Sequence, residues 1–424
     1  MYHSIFLSGG LDLSSPYVLI IGASVIIVLS YFFNLLSEKT SIPSVLMLIL
    51  TGILIKLGFD KMHLLLPDLM PVLELLGIVG LIMIVLEAAL DLELTKEKLP
   101  LIGRSLLVAS LALVFSVGGV ALVLQQFIEM DFMKAMLYAT PLSIMSSAII
   151  IPSVTKCLPH TKEFMIYEST FSDILGIMLF YFLISFMESG GGEAVTQFAL
   201  SFVLTIVVAV VASYVLVFFF KDLKGHIRLF LLIAVLLILY AAGKLLHLSP
   251  LLIILVFGLC LSNHQIFFKI FKNDLDSEND PIAKIEKEFH LITLETAFVV
   301  RTFFFVVFGM TIVLSSLVNV NVAVISLLVL VALYVVRFIV LKLFMKDKIF
   351  PELFIAPRGL ITILLFFGIP AVHHVTAFDS GILLYVILVS SLIMTFSLIK
   401  DSNRIKAMEV AGTLEVDTSD DGGH

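Results

Sequence analysis

The run KEFMIYESTFSDILGIMLFYF, residues 162–182, is apolar over most of its length and carries the carboxylate Asp173 at its middle. Wound as a helix, it places Ser169, Ser172, Asp173 and Gly176 at i, i+3, i+4 and i+7, on one face. Asp173 lies about nine residues inside the run, roughly 13 Å at helical rise. An ionisable group so deep in a bilayer costs at least about 2.5–3.5 kcal/mol, and an Asp side chain is too short to reach water. The polar stripe must therefore look into a helix bundle or onto a water-filled cavity. A lone carboxylate flanked by hydroxyls can hold a proton or a hard monovalent cation, one at a time, because such cations take oxygen ligands. The plainer alternative is an Asp held structurally by hydrogen bonds.

The other misplaced charges and breaks surround this one. Glu168 enters the same run about 6 Å deep, and Arg337, in LYVVRFIVLKLF, is about 10 Å from the same side of its own run. Matched depth and opposite charge predict a helix-bridging ion pair that fixes two helices rather than moving protons. Snorkelling is the alternative for Arg337. Arg301 and Arg358 are each about 13 Å deep. Each wants a carboxylate, a carbonyl of a broken helix or a helix C-terminal end. Glu295 is one partner for Arg301, although a spacing of six puts it on a poor face. Glu74 and Glu87 fall nearer the ends of their run and read as interfacial. Two runs are interrupted: Thr140-Pro141 with Ser143, Ser146 and Ser147 in one, Pro357-Arg358-Gly359 in the other. Proline removes a backbone donor and crowds the preceding turn. Paired broken helices are the sequence sign of a midplane transport site and of inverted repeats.

The elements that must position these residues follow from composition. The 424 residues are 60% hydrophobic and 14% charged, with two Cys, no Trp and a net charge of −7. Soluble proteins are about 25% charged. A soluble enzyme, a secreted disulfide scaffold and a nucleic-acid binder are excluded, and the class is all-α polytopic membrane protein. Thirteen apolar spans can be counted, at 17–36, 42–57, 69–90, 100–124, 133–154, 164–187, 198–220, 227–247, 250–268, 291–314, 321–344, 349–371 and 380–399. The first has no basic residues before it and no A-x-A pattern after it, so it reads as a helix that stays in the membrane. With the N-terminus outside, 19 basic residues face the cytoplasm and four (Lys56, Lys61, Lys134, Lys244) face out. The domain expected is 1–400, with 401–424 a short acidic, disordered cytoplasmic tail. The charged stretch 269–290 reads as a surface linker or short amphipathic helix. If spans 1–6 and 8–13 are two inverted six-helix repeats, the breaks fall on the fifth helix of each, spans 5 and 12. Cys157 and Cys260 form no CxxC and read as small apolar residues near helix ends.

These residues together resemble the monovalent cation:proton antiporter superfamily. Tyr167-Glu168-Ser169-Thr170-Phe171-Ser172-Asp173 resembles the ESLFND signature of its sodium–proton exchangers. Ala139-Thr140-Pro141 resembles their ATDP, and Ala356-Pro357-Arg358-Gly359-Leu360 their GLRG. Met145-Ser146-Ser147-Ala148-Ile149-Ile150 is closer to the SSTAIV of Kef-type members, and Leu86-Glu87-Ala88-Ala89-Leu90-Asp91-Leu92 is similar to their GLELD. The resemblance implies that Asp173 binds cation and proton in competition, with Ser169, Ser172 and Thr140 completing the oxygen shell. It implies a Glu168–Arg337 bridge, Arg358 at the second broken helix and a homodimer. Two departures stand out: the ND pair is Ser172-Asp173, and the Asp of TDP is missing. With one carboxylate, the exchange expected is electroneutral, one for one, by rocking of the broken-helix bundle. Arg301 inherits no role.

The expected protein is a multi-pass transporter of the bacterial cell membrane, moving Na⁺, K⁺ or Li⁺ against H⁺ in pH homeostasis, with membrane lipid as its other partner. No GxxxxGK[ST], HExxH or GxGxxG occurs, and no cofactor is expected. Enzyme chemistry is not expected either, since Ser172-Asp173 has no His base within the bilayer and His373 and His374 fall at the outer end. Two rivals remain open at this stage: a proton- or sodium-coupled transporter of a small organic anion, and a channel or ligand-sensing membrane protein.

Overall fold

The computed structural model describes residues 15–410 except 41, 63–67, 93, 96, 190–191, 221–226, 247, 268–280, 313–317 and 346–348. Among the described residues all regular structure is helical. The first seven helices are α1 (Pro16–Thr40), α2 (Ser44–Lys61), α3 (Met70–Leu90), α4 (Leu99–Phe127), α5 (Phe132–Ser143), α6 (Ser147–Ser153) and α7 (Pro159–Ser189). Then come α8 (Gly192–Phe220), α9 (Ile227–Leu245), α10 (Pro250–Ser262), α11 (His264–Phe267) and α12 (Pro281–Thr311). The last are α13 (Val320–Met345), α14 (Leu360–Phe367) and α15 (Gly381–Val410). Helix is what a bilayer demands, since it satisfies its own backbone where no water can. Proline stands at the first or second position of α1, α3, α4, α7, α10 and α12, where its missing N–H costs nothing.

Among the described residues nine helical stretches are long and apolar enough to cross a membrane, one of them the interrupted Phe132–Ser153, and Leu231–Leu245 and Pro250–Ser262 are shorter apolar helices. The predicted span 42–57 corresponds to α2, whose last turns carry Lys56, Asp60 and Lys61. The predicted span 349–371 holds only the eight-residue α14 as α-helix. Residues 281–290, read from their charge as linker or separate helix, are the first turns of the continuous α12. The last helix runs on to Val410, past residue 400 where the tail is placed by sequence, and 411–424 lie outside the described residues.

The packing sorts the helices into two groups. α2 and α3 both lie against α12, and α10 joins α3 to α8 and α9. In the other group α4 packs on α5, α7 and α13, and α13 on α15, while α14 touches both α3 and α5. α10 is apolar all round and almost wholly buried, as an interior helix should be. α1 instead turns Tyr17, Ile20, Ile21 and Val28 outward, as a lipid-facing helix does. Where α2 crosses α12 the two backbones touch: a Cβ on Gly52 would lie 2.1 Å from Val306 O, and one on Gly309 2.3 Å from Ile49 O. Small residues at such crossings are how membrane helices gain dispersion contact without a hydrophobic drive.

Candidate ion-binding site

The site is built on two interrupted helices. Pro141 lies inside α5, not in the break; the helix survives one missing hydrogen bond and ends two residues later, at Ser143. Ile144 and Ser146 are extended (ψ 131° and 105°), and helix resumes at Ser147. The freed backbone donors are taken by polar side chains of α7. Met145 N–H donates to Ser172 Oγ at 3.0 Å, and Ser147 N–H donates to Asp173 Oδ2 at 3.2 Å. The second interruption covers residues 355–359, and Pro357 O accepts from Ser146 N–H at 2.9 Å, so the unwound segments bond to each other. Glycine is required at two close approaches here. A Cβ on Gly359 would lie 2.6 Å from Ser146 Oγ, and one on Gly176 would lie 2.2 Å from Ile144 Cγ1.

Asp173 is 4% exposed, and its second oxygen, Oδ1, has no hydrogen-bonding partner among the described residues. The buried hydroxyl of Ser146 is also unpartnered. Ser172 ties α7 to the break as described. Thr140 and Ser169 are buried, but their hydroxyls donate within their own helices, to Met136 O at 2.8 Å and Ile166 O at 3.2 Å. Among the described residues neither bonds to Asp173, and each keeps lone pairs free to accept. No group of three His, Cys, Asp or Glu side chains among the described residues is placed to hold a metal ion. The arrangement offers one carboxylate oxygen, dry and unengaged, at a place where a proton or a single cation could sit.

The three deep arginines are held in three ways. Arg337 makes a two-pronged pair with Glu168, at 2.7 and 2.9 Å, and its remaining donors reach Glu352 O and Leu353 O. Arg358 closes the C-terminal end of α5: its Nε donates to Leu142 O at 3.0 Å and Nη2 to Ser143 O at 3.4 Å, while Nη1 donates to Ala356 O. A cation there offsets the negative end of the helix dipole. Ser390 Oγ accepts from the Arg358 backbone N–H at 3.0 Å. Arg301 donates to Ala148 O at 3.0 Å and faces Glu87 Oε2 at 3.6 Å.

Glu295, the partner read for Arg301 from sequence, is exposed on another face of α12, because six residues turn a helix through well over half a circle beyond its first full turn. Glu87, read as interfacial, is 7% exposed. Depth along α3 misleads here, because the end of that helix is covered by α10 and α12. Glu74 is exposed. Asp91, one turn beyond Glu87, meets His290 of α12 at 2.9 Å. The backbone carbonyls that hold Arg301 and Arg358 carry no mark in a sequence.

Comparison with known proteins agrees with this fold. The chain resembles two structures of the sodium proton antiporter MjNhaP1 from Methanocaldococcus jannaschii. One, at pH 8, has a TM-score of 0.67 at 17% identity, over 92% of this chain and 100% of that one. The other, from electron microscopy, has a TM-score of 0.66 at 16% identity, over 95% and 99%. At such identity the likeness establishes the fold. No curated protein sequence matches. The family described as "Sodium/hydrogen exchanger, transmembrane" matches residues 24–400. A multi-pass membrane protein whose broken helices meet beside a buried aspartate, this chain belongs to the sodium/hydrogen exchanger family, within the monovalent cation:proton antiporter superfamily.

Proposed function

We propose that the protein exchanges one monovalent cation, Na⁺, K⁺ or Li⁺, for one H⁺ across the cell membrane by alternating access, as a thirteen-span homodimer serving pH homeostasis. The observation that carries this reading is the buried, unpartnered Oδ1 of Asp173 beside the unwound segment. One oxygen pair cannot hold proton and cation together, so each displaces the other, and electroneutrality follows from the absence of a second carboxylate at position 172. Ser172 and the Ser147 N–H hold the carboxylate against the break. Ser169 and Thr140 would lend oxygen to a cation stripped of water. Glu168 and Arg337 brace α7 against α13, and Arg358 holds the end of α5.

The organic-anion reading loses its support in the arginines. The guanidinium of Arg358 is directed at backbone carbonyls and that of Arg337 at Glu168 and carbonyls, which leaves neither aimed at a substrate carboxylate. The test is dye-reported antiport in proteoliposomes with Li⁺, Na⁺ and K⁺ across pH, beside Asp173→Asn. The expected result is proton movement driven by at least one alkali cation, indifferent to an imposed membrane potential and lost in the variant. Silence with every cation overturns the exchange; dependence on potential overturns the one-for-one stoichiometry.

A further inference from the structure

Arg301 and Glu87 lie outside the groups proposed to hold the cation, yet they occupy a particular place. Arg301 is on α12 and Glu87 on α3, both in one helix group, while the carbonyl that Arg301 grips belongs to Ala148 on α6, which packs on α7 of the other. Ala148 follows Ser147, whose N–H holds Asp173. The contact therefore ties the two groups together one residue from the site. It is also loose: at 3.6 Å the Glu87 carboxylate is beyond hydrogen-bonding distance of Arg301, and Glu87 Oε2 has no other partner among the described residues.

The opposite end of the same boundary is open. About 390 Å³ of water-accessible space lies between α7 and α8–α10, lined by Tyr181, Ser185, Glu188, Tyr240 and Lys244. A second space of about 200 Å³ shares Tyr181, Tyr240 and Lys244 with it and reaches Glu74 and the end of α14. A void of about 10 Å³, the size of one water, shares Met178 and Ser249 with the first and is bounded by Ile174 and Ile177. Open space thus extends from the ends of α3 and α7 that carry Glu74 and Glu188 as far as Met178, five residues along α7 from Asp173. The latched end is the one whose flanking loops carry the basic residues.

Resting on the exchange reading above, we infer that Arg301 is the latch of the cytoplasmic side: it closes this face while the other is open, with Glu87 aiming its guanidinium at the Ala148 carbonyl. The latch must release for Asp173 to face the cytoplasm. Arg301 is a positioning residue, acting on access and not on the ion. A contact joining two bodies in one state only shifts the population of states, and couplings of this kind shift equilibria by about 5–150-fold.

The test is thiol accessibility, which needs no transport. In a Cys157→Ser/Cys260→Ser background, Ala148→Cys is labelled with a membrane-impermeant maleimide from the cytoplasmic side of oriented vesicles. Arg301→Gln should speed labelling about fivefold or more, Glu87→Gln by less, and Arg301→Lys, which keeps charge and a donor, should restore most of the slow rate. Glu87→Gln preserves shape and covers the case in which Arg301→Gln does not fold. Unchanged labelling in the folded variants overturns the latch. Faster labelling in a protein that exchanges no alkali cation leaves the latch standing and removes the exchange reading. Antiport in the wild type with labelling indifferent to Arg301 does the reverse.

Discussion

Two arginine–glutamate pairs lie among the described residues of this membrane domain, and they differ in nearly everything but residue type. Arg337 and Glu168 meet in two short hydrogen bonds, 4% and 0% exposed, within one helix group. Arg301 and Glu87 stand 3.6 Å apart, 14% and 10% exposed, on the helices that face the other group. A dry ion pair is tolerable only when the geometry is good and the leftover donors are satisfied, as they are for Arg337 by Glu352 O and Leu353 O. Such a pair holds its helices in one arrangement. A pair that leaves an oxygen unengaged and grips its third partner by one bond can part at small cost. The comparison teaches that the role of a buried charge depends on which bodies its partners belong to.

The largest effect that could break this comparison is expected at the tight pair. Arg337→Ala leaves Glu168 charged and alone in a dry site, a loss of about 3–5 kcal/mol. A steep fall in melting temperature in detergent checks it, and an unchanged melt would mean the pair braces nothing. Next is Gly359→Ala, which drives a methyl against Ser146 Oγ where the unwound segments meet; overpacking of this kind costs about 1–3 kcal/mol, read in the same melt. Arg301→Gln should cost less, about 1–2 kcal/mol, since one charge-assisted hydrogen bond is lost at a partly wetted contact. A loss as large as that of Arg337→Ala would erase the distinction.

The smallest effect sharpens it by a native probe. Cys157, in the turn between α6 and α7, is held up to about 12 by burial first and then by the carboxylates of Asp401 and Glu352. Little of it is thiolate at pH 8, so alkylation should be slow there and climb with pH until about 12 rather than levelling near 9. Arg301→Gln should leave that rate alone, and Arg337→Ala, loosening the group to which Cys157 belongs, should raise it.

How much of this could be read beforehand depends on the residue. Asp173 stands out because a short side chain at mid-membrane has nowhere else to go. Glu168 and Arg337 share a depth, and depth is countable at a fixed rise per residue. For Arg358 the chemistry of a partner could be named, a helix C-terminal end or broken-helix carbonyl, but not that the end belongs to α5, because that is a matter of how two distant breaks dock. Pro141 pointed near the interruption without lying in it, since proline weakens a helix and leaves open which later residue lets go. Glu87 was misplaced because depth says nothing of lateral cover. The membrane class and the all-helical fold were legible from composition, whereas helix ends such as Pro159, Pro281 and Val410 were blurred by charged turns that stay helical.

The crossing of α2 and α12 at Gly52 and Gly309 has a further consequence. At its centre it is a fit of two backbones, and one turn along Lys56 of α2 donates to Ile312 O. Under the proposed exchange, a joint of backbone against backbone would keep its shape while Asp173 changes occupant, a fixed bearing for the helix that carries Arg301.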